Sequence, residues 1–139
     1  MKLLRALVAL AAVGCVTTAT AVAHHSFSAE YDAKQPITLK GTVIKMEWIN
    51  PHSWIHVAVK NADGTTTEWM IESGTPNTLV RRGFTKQSLL PGTEITVEGY
   101  RAKNGANRAN GADLILSDGK RLFLGSSGTG APKEAPDGN

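Results

Sequence analysis

Three features of the 139-residue sequence predict a mostly β domain. Three runs of alternating apolar and polar residues follow one another from Ile37 to Glu72, separated by Asn50-Pro51 and Asn61-Ala62-Asp63-Gly64. A short helical stretch opens at Thr75-Pro76 and stops at Gly83. One more alternating run and a closing strand pair come after it. Strand, strand, strand, helix, strand, strand pair is the order of an OB-fold-like Greek-key β-barrel of five to six strands, with its one short helix between strands 3 and 4. A β-sandwich is the alternative, because alternation does not specify closure.

In the first strand, Ile37, Leu39, Gly41 and Val43 alternate with Thr38, Lys40 and Thr42. Ile44 then breaks the alternation, so a bulge or sharp bend is expected near Gly41. The second strand runs to about Lys60. From Ser53 on, Ile55, Val57 and Val59 point to one face, and His52, Trp54 and His56 to the other. Asp63-Gly64 suits the positive φ angles of a tight hairpin. In the third strand Thr67, Trp69 and Ile71 share one face, and Glu68, Met70 and Glu72 the other. Leu79 and Val80 are the apolar residues of a helix over 77–82. Pro91-Gly92 turns the chain into a fourth strand, Thr93 to Tyr100. Lys103 to Gly111 reads as a polar loop, and Leu114 to Leu124 as the closing hairpin around Ser117-Asp118-Gly119.

The ends read differently. Residues 1–23 have the form of a cleavable signal peptide: Lys2 and Arg5, an apolar run to Val16, and Ala21-Val22-Ala23 as a small-x-small cleavage pattern. The run is too short for a membrane span. Residues 24–36 form an N-terminal extension with Phe27 and Tyr31 as anchors. Residues 37–125 are the OB-like domain. Residues 126–139, Gly, Ser and Pro with little to bury, are expected to be disordered. This organisation implies a periplasmic protein. The alternative is lipidation at Cys15, the single cysteine, for which Ala12-Val13-Gly14-Cys15 is a poor signal. Removing the leader also removes Lys2 and Arg5 from a formal charge of +3, so no nucleic-acid partner is indicated. With Cys15 gone the chain has no thiolate nucleophile or ligand. No phosphate loop, dinucleotide fingerprint or nucleophile elbow is present.

The histidines carry the strongest chemical signal. All four fall in two close pairs, His24-His25 and His52/His56. Imidazole suits copper and zinc. Cleavage after Ala23 makes His24 the first residue, whose amine and ring nitrogen together chelate one ion. His52 then supplies a third nitrogen, in the manner of a histidine brace, with His25 or His56 accessory. Glu68 and Glu72 are four residues apart, about 13 Å along a strand, too far for a catalytic pair, and are expected to form a solvated face. Met70 and Met46 are expected in the core rather than as soft copper ligands. Trp54, and secondarily Trp48, are candidate ligand-binding aromatics, although Trp48 and Trp69 also suit the core.

The segments His24-His25-Ser26-Phe27, Trp48-Ile49-Asn50-Pro51-His52-Ser53-Trp54, Val97-Glu98-Gly99-Tyr100-Arg101-Ala102-Lys103 and Gly125-Ser126-Ser127-Gly128-Thr129-Gly130 resemble a family of small exported bacterial proteins catalogued as a domain of unknown function. The resemblance implies export and a small β domain, and carries no ligand residues. The expected function is an exported, non-enzymatic periplasmic binding protein with a histidine-based copper site, zinc being second. The alternative is a metal-free module binding a small ligand or another periplasmic protein through the Trp54 face.

Overall fold

The computed structural model describes residues 27–125. The expected signal peptide, His24, His25 and the expected disordered tail lie outside the described residues. Six strands form one sheet: β1 (Tyr31–Glu47), β2 (Trp54–Lys60), β3 (Thr66–Glu72), β4 (Glu94–Ala102), β5 (Arg108–Leu116) and β6 (Arg121–Phe123). A short helix, α1 (Pro76–Arg81), lies between β3 and β4. A further helical turn spans residues 27–30. The sheet order is β3-β2-β1-β4-β5-β6, and a parallel β3–β5 pairing closes it into a ring. Strand number, order and helix position are those expected from the sequence.

Closure depends on β1, which pairs with β2 through its C-terminal half and with β4 through its N-terminal half. Gly41 sits where both pairings overlap, opposite Val59 and Ile95. A Cβ there would lie 2.4 Å from the Ala58 carbonyl oxygen and 2.7 Å from Val57 Cγ1. The register slips between Val43 and Lys45, so Ile44 is the extra residue that broke the alternation. β1 begins at Tyr31, earlier than alternation indicates: Tyr31 pairs with Ala102 and Pro36 with Tyr100, with a register shift between them.

The main core gathers Val43, Ile55, Val57, Trp69, Ile71, Val97 and Leu114 inside the ring, with Leu79, Phe84 and Leu89 from the α1 region. Thr75 caps α1 by accepting a hydrogen bond from the Thr78 amide, and Pro76 opens it. A second cluster, Phe27, Tyr31, Tyr100, Ala102 and Ala112, packs the N-terminal turn onto β4 and β5.

The stretch Arg108 to Gly111 is strand, where composition had indicated loop. Ala109 is fully buried, and a Cβ on Gly111 would meet Leu124 Cδ1 at 2.7 Å and Ile71 Cγ2 at 2.9 Å. Small residues are required because β5 must lie between β3 and β4. The same smallness makes the segment resemble a loop by composition.

Gly41→Ala is expected to destabilise the domain by about 1–3 kcal/mol, the scale of overpacking, because the new methyl meets backbone. Urea denaturation monitored by tryptophan fluorescence checks this.

Candidate functional site

The outer face of β2 and β3 is set by the inward alternation of Ile55 and Val57 on β2 and of Trp69 and Ile71 on β3. Trp54 and His56 therefore face outward, with Glu68, Met70 and Glu72 across from them. The hairpin at Asn61–Thr65 fixes which residues meet: Trp54 opposes Glu72, His56 opposes Met70, and Ala58 opposes Glu68. β5 extends the face, placing Arg108 beside Met70 and Asn110 beside Glu72.

Glu72 is the centre of this surface. It is 6% exposed. A buried carboxylate needs partners, and it has two. Tyr31 Oη donates to Glu72 Oε2, and His52 Nδ1 contacts Glu72 Oε1. Against an ionised carboxylate, which only accepts, Nδ1 is the donor, and in the neutral imidazole Nε2 then carries the lone pair. The His52 side chain is 25% exposed. It is held by the turn before β2, where Ser53 bonds through its amide to Gly74 O (3.0 Å) and through its carbonyl to the Ser73 amide (2.9 Å).

Tyr31 ties the N-terminal turn to this carboxylate. Its ring packs on Phe27, with centroids 5.8 Å apart, and Phe27 stands edge-on to Tyr100 at 5.6 Å. Arg108 Nη2 donates to Tyr31 Oη at 3.2 Å and also pairs with Glu30. The Arg108 guanidinium lies 5.7 Å from the Tyr31 ring centroid and 5.1 Å from that of Trp54. Burial, and then the hydrogen bond to the Glu72 carboxylate, holds the Tyr31 phenol well above its ordinary value of 10.0. The hydrogen bond to Tyr31 raises the Arg108 guanidinium in turn.

His56 belongs to a separate pair. Its Nδ1 lies 2.6 Å from Glu68 Oε1. Its Nε2 is buried without a hydrogen-bond partner among the described residues. Glu47 Oε1 is 3.6 Å from that nitrogen, beyond hydrogen-bond range, and accepts instead from Lys45 at 2.6 Å.

Several expectations thus meet a different arrangement. Glu68 is exposed, as expected of a solvated face, although it is paired with His56, whereas Glu72 is buried and held by His52 and Tyr31. Met70 belongs to neither core cluster, whereas Met46 packs against the core. Trp48 also packs against the core, and Trp54 is half-buried on the outer face under Arg108. Among the described residues no three His, Cys, Asp or Glu side chains form a metal-binding group. Tyr31 and Phe27 anchor the N-terminal extension as expected, whereas the bonding of Tyr31 to Glu72 and the part of Arg108 are not legible in the sequence. The Asp-Gly hairpin was the signal for the glutamates, since a tight turn there sets the β2–β3 register.

Tyr31→Phe removes one of the two partners of a buried carboxylate, so a loss of about 1–3 kcal/mol is expected at neutral pH. The raised phenol adds a pH signature. The folded state keeps a proton that the unfolded chain releases above pH 10.0, so stability falls as pH rises past that value. Denaturant midpoints measured above pH 10.0 should fall more steeply for the native protein than for Tyr31→Phe.

No match is found among curated proteins. The model of a family of unknown function, DUF6152, matches residues 11–111, which takes in β1 to β4, the N-terminal anchor and the start of β5. With most of the chain so matched, including His52, Glu72, Tyr31 and Arg108, this protein belongs to the DUF6152 family of unknown function.

Proposed function

We propose that this protein is an exported, non-enzymatic periplasmic binding protein whose cargo is a transition-metal ion, copper in preference to zinc. His24 supplies its amine and ring nitrogens, and His52 supplies Nε2. The observation that carries this reading is the His52–Glu72–Tyr31 chain of contacts. Metal-binding imidazoles characteristically donate their second ring nitrogen to a carboxylate, which fixes the tautomer and raises ligand basicity. Here that carboxylate is buried and anchored by a phenol, so the partly exposed imidazole has little freedom to turn.

A second fact supports the role of His24. Phe27 is seated beside Tyr31, which bonds the same Glu72. Phe27 is three positions beyond His24, a reach of roughly 10 Å. That reach supports the reading, because it allows a terminus at His24 to come to the network that orients His52. A T-shaped set of three nitrogens favours copper. No described helix is long and apolar enough to cross a membrane.

The metal-free reading uses the half-buried Trp54 indole as a ligand platform. It is the weaker one, because the Arg108 guanidinium already stacks over that ring.

Intact mass spectrometry and Cu(II) titration of untagged protein from the periplasm test the proposal. The expected result is a chain beginning at His24 that binds one copper per molecule. His52→Ala should abolish binding while leaving the fold intact, and Glu72→Gln should weaken it about 10–100-fold. A chain beginning at His24 with no copper above background overturns the proposal, as does a mature form lipidated at Cys15.

A further inference from the structure

The geometry points to a zinc(II) site between β1 and β2, held by His56 Nε2 and Glu47 Oε1 and completed by water. It does not depend on the His24–His52 reading.

Two acceptors face each other there. His56 Nδ1 lies 2.6 Å from Glu68 Oε1 on β3. Against that ionised carboxylate Nδ1 is the donor, so in the neutral imidazole Nε2 carries the lone pair. The His56 side chain is 8% exposed, and Nε2 is buried without a hydrogen-bond partner among the described residues. It is directed at β1, where Glu47 Oε1 is 3.6 Å away. That gap is too long for a hydrogen bond, and a buried acceptor left unsatisfied is costly. One cation already reaches the carboxylate. The exposed Lys45 ammonium sits 2.6 Å from the same Glu47 oxygen. It satisfies Glu47 and leaves the imidazole without a partner. A metal ion bonded to both groups satisfies both.

The separation selects the ion. Zinc bonds of about 2.0–2.2 Å at a tetrahedral angle place two donors roughly 3.3–3.5 Å apart, just under the gap present here. The right angles of tetragonal copper(II) bring two donors to about 2.9 Å, which demands a larger closure. Calcium and magnesium take oxygen donors and leave the imidazole unused. Glu68 supplies the outer part of the arrangement, since a metal-bound imidazole characteristically donates its other nitrogen to a carboxylate. With two protein donors the remaining positions fall to water, so the ion is exchangeable. Lys45, long and exposed, is its competitor for Glu47.

Zinc chloride added to the full exported protein at neutral pH is the probe, and long-range ¹H–¹⁵N correlation of the imidazole rings is the readout. Zinc should move the His56 Nε2 resonance and leave the proton on Nδ1. The same response should persist in His52→Ala. Glu47→Gln, which keeps the side-chain shape, should weaken zinc binding at His56 roughly tenfold or more, the scale of a lost metal contact. Lys45→Met removes the competing ammonium and should tighten binding. A His56 Nε2 that does not respond to zinc, native-like affinity at His56 in Glu47→Gln, weaker binding in Lys45→Met, or loss of the response in His52→Ala each overturns the site. The Cu(II) titration of His52→Ala is a separate measurement, so the failure of one site is not the failure of the other.

Discussion

A carboxylate out of reach of water must be paired, and the arrangement around Glu72 follows from that need. Glu72 is the last residue of β3 and lies beside Asn110 of β5, at the seam where the sheet closes on itself. Its two oxygens draw in side chains from distant parts of the sequence: Tyr31 from the start of β1 and His52 from the turn before β2. Arg108 backs Tyr31 and links it to Glu30. The same contacts therefore dock the N-terminal turn, brace the seam and orient an imidazole. Structural and functional roles are not separable here. Any change at Glu72 acts on all three.

The hairpin repeats the device. His52 and His56 are four residues apart on or beside β2, and Glu72 and Glu68 are four apart on β3. One antiparallel register gives both histidines a glutamate on the same diagonal, with Trp54 between the imidazoles and Met70 between the carboxylates. The two imidazoles differ in surroundings. His52 is partly exposed at the edge of the face, close to where the N-terminal segment is anchored. His56 lies deeper, opposite a thioether.

Much of the fold was legible because β2 and β3 alternate cleanly and because Asp63-Gly64, Thr75-Pro76 and Gly83 punctuate the chain in the way their backbone chemistry demands. Gly64 and Gly83 do take positive φ angles, 85° and 90°. The ring-closing strand was not legible. Arg108 to Gly111 is built from small and polar residues because Ile71 and Leu124 crowd it, and close packing leaves no apolar period to read. The first residues of β1 were hidden for another reason: Pro36 and polar neighbours interrupt the pattern, while pairing with Tyr100 and Ala102 imposes strand geometry from outside. At the site, alternation revealed that the histidines share a face. It did not reveal their partners, because period distinguishes faces and only register distinguishes neighbours.

Everything at this site rests on Glu72 holding His52 with its proton on Nδ1 and its Nε2 lone pair free. Long-range ¹H–¹⁵N correlation of the imidazole rings in metal-free protein at pH 8 reads this directly. The expected result is the Nδ1–H tautomer for His52, with the resonance pattern collapsing toward a mobile, mixed-tautomer ring in Glu72→Gln. An Nε2–H tautomer for His52 in the native protein would contradict it, because that nitrogen would then offer a metal nothing.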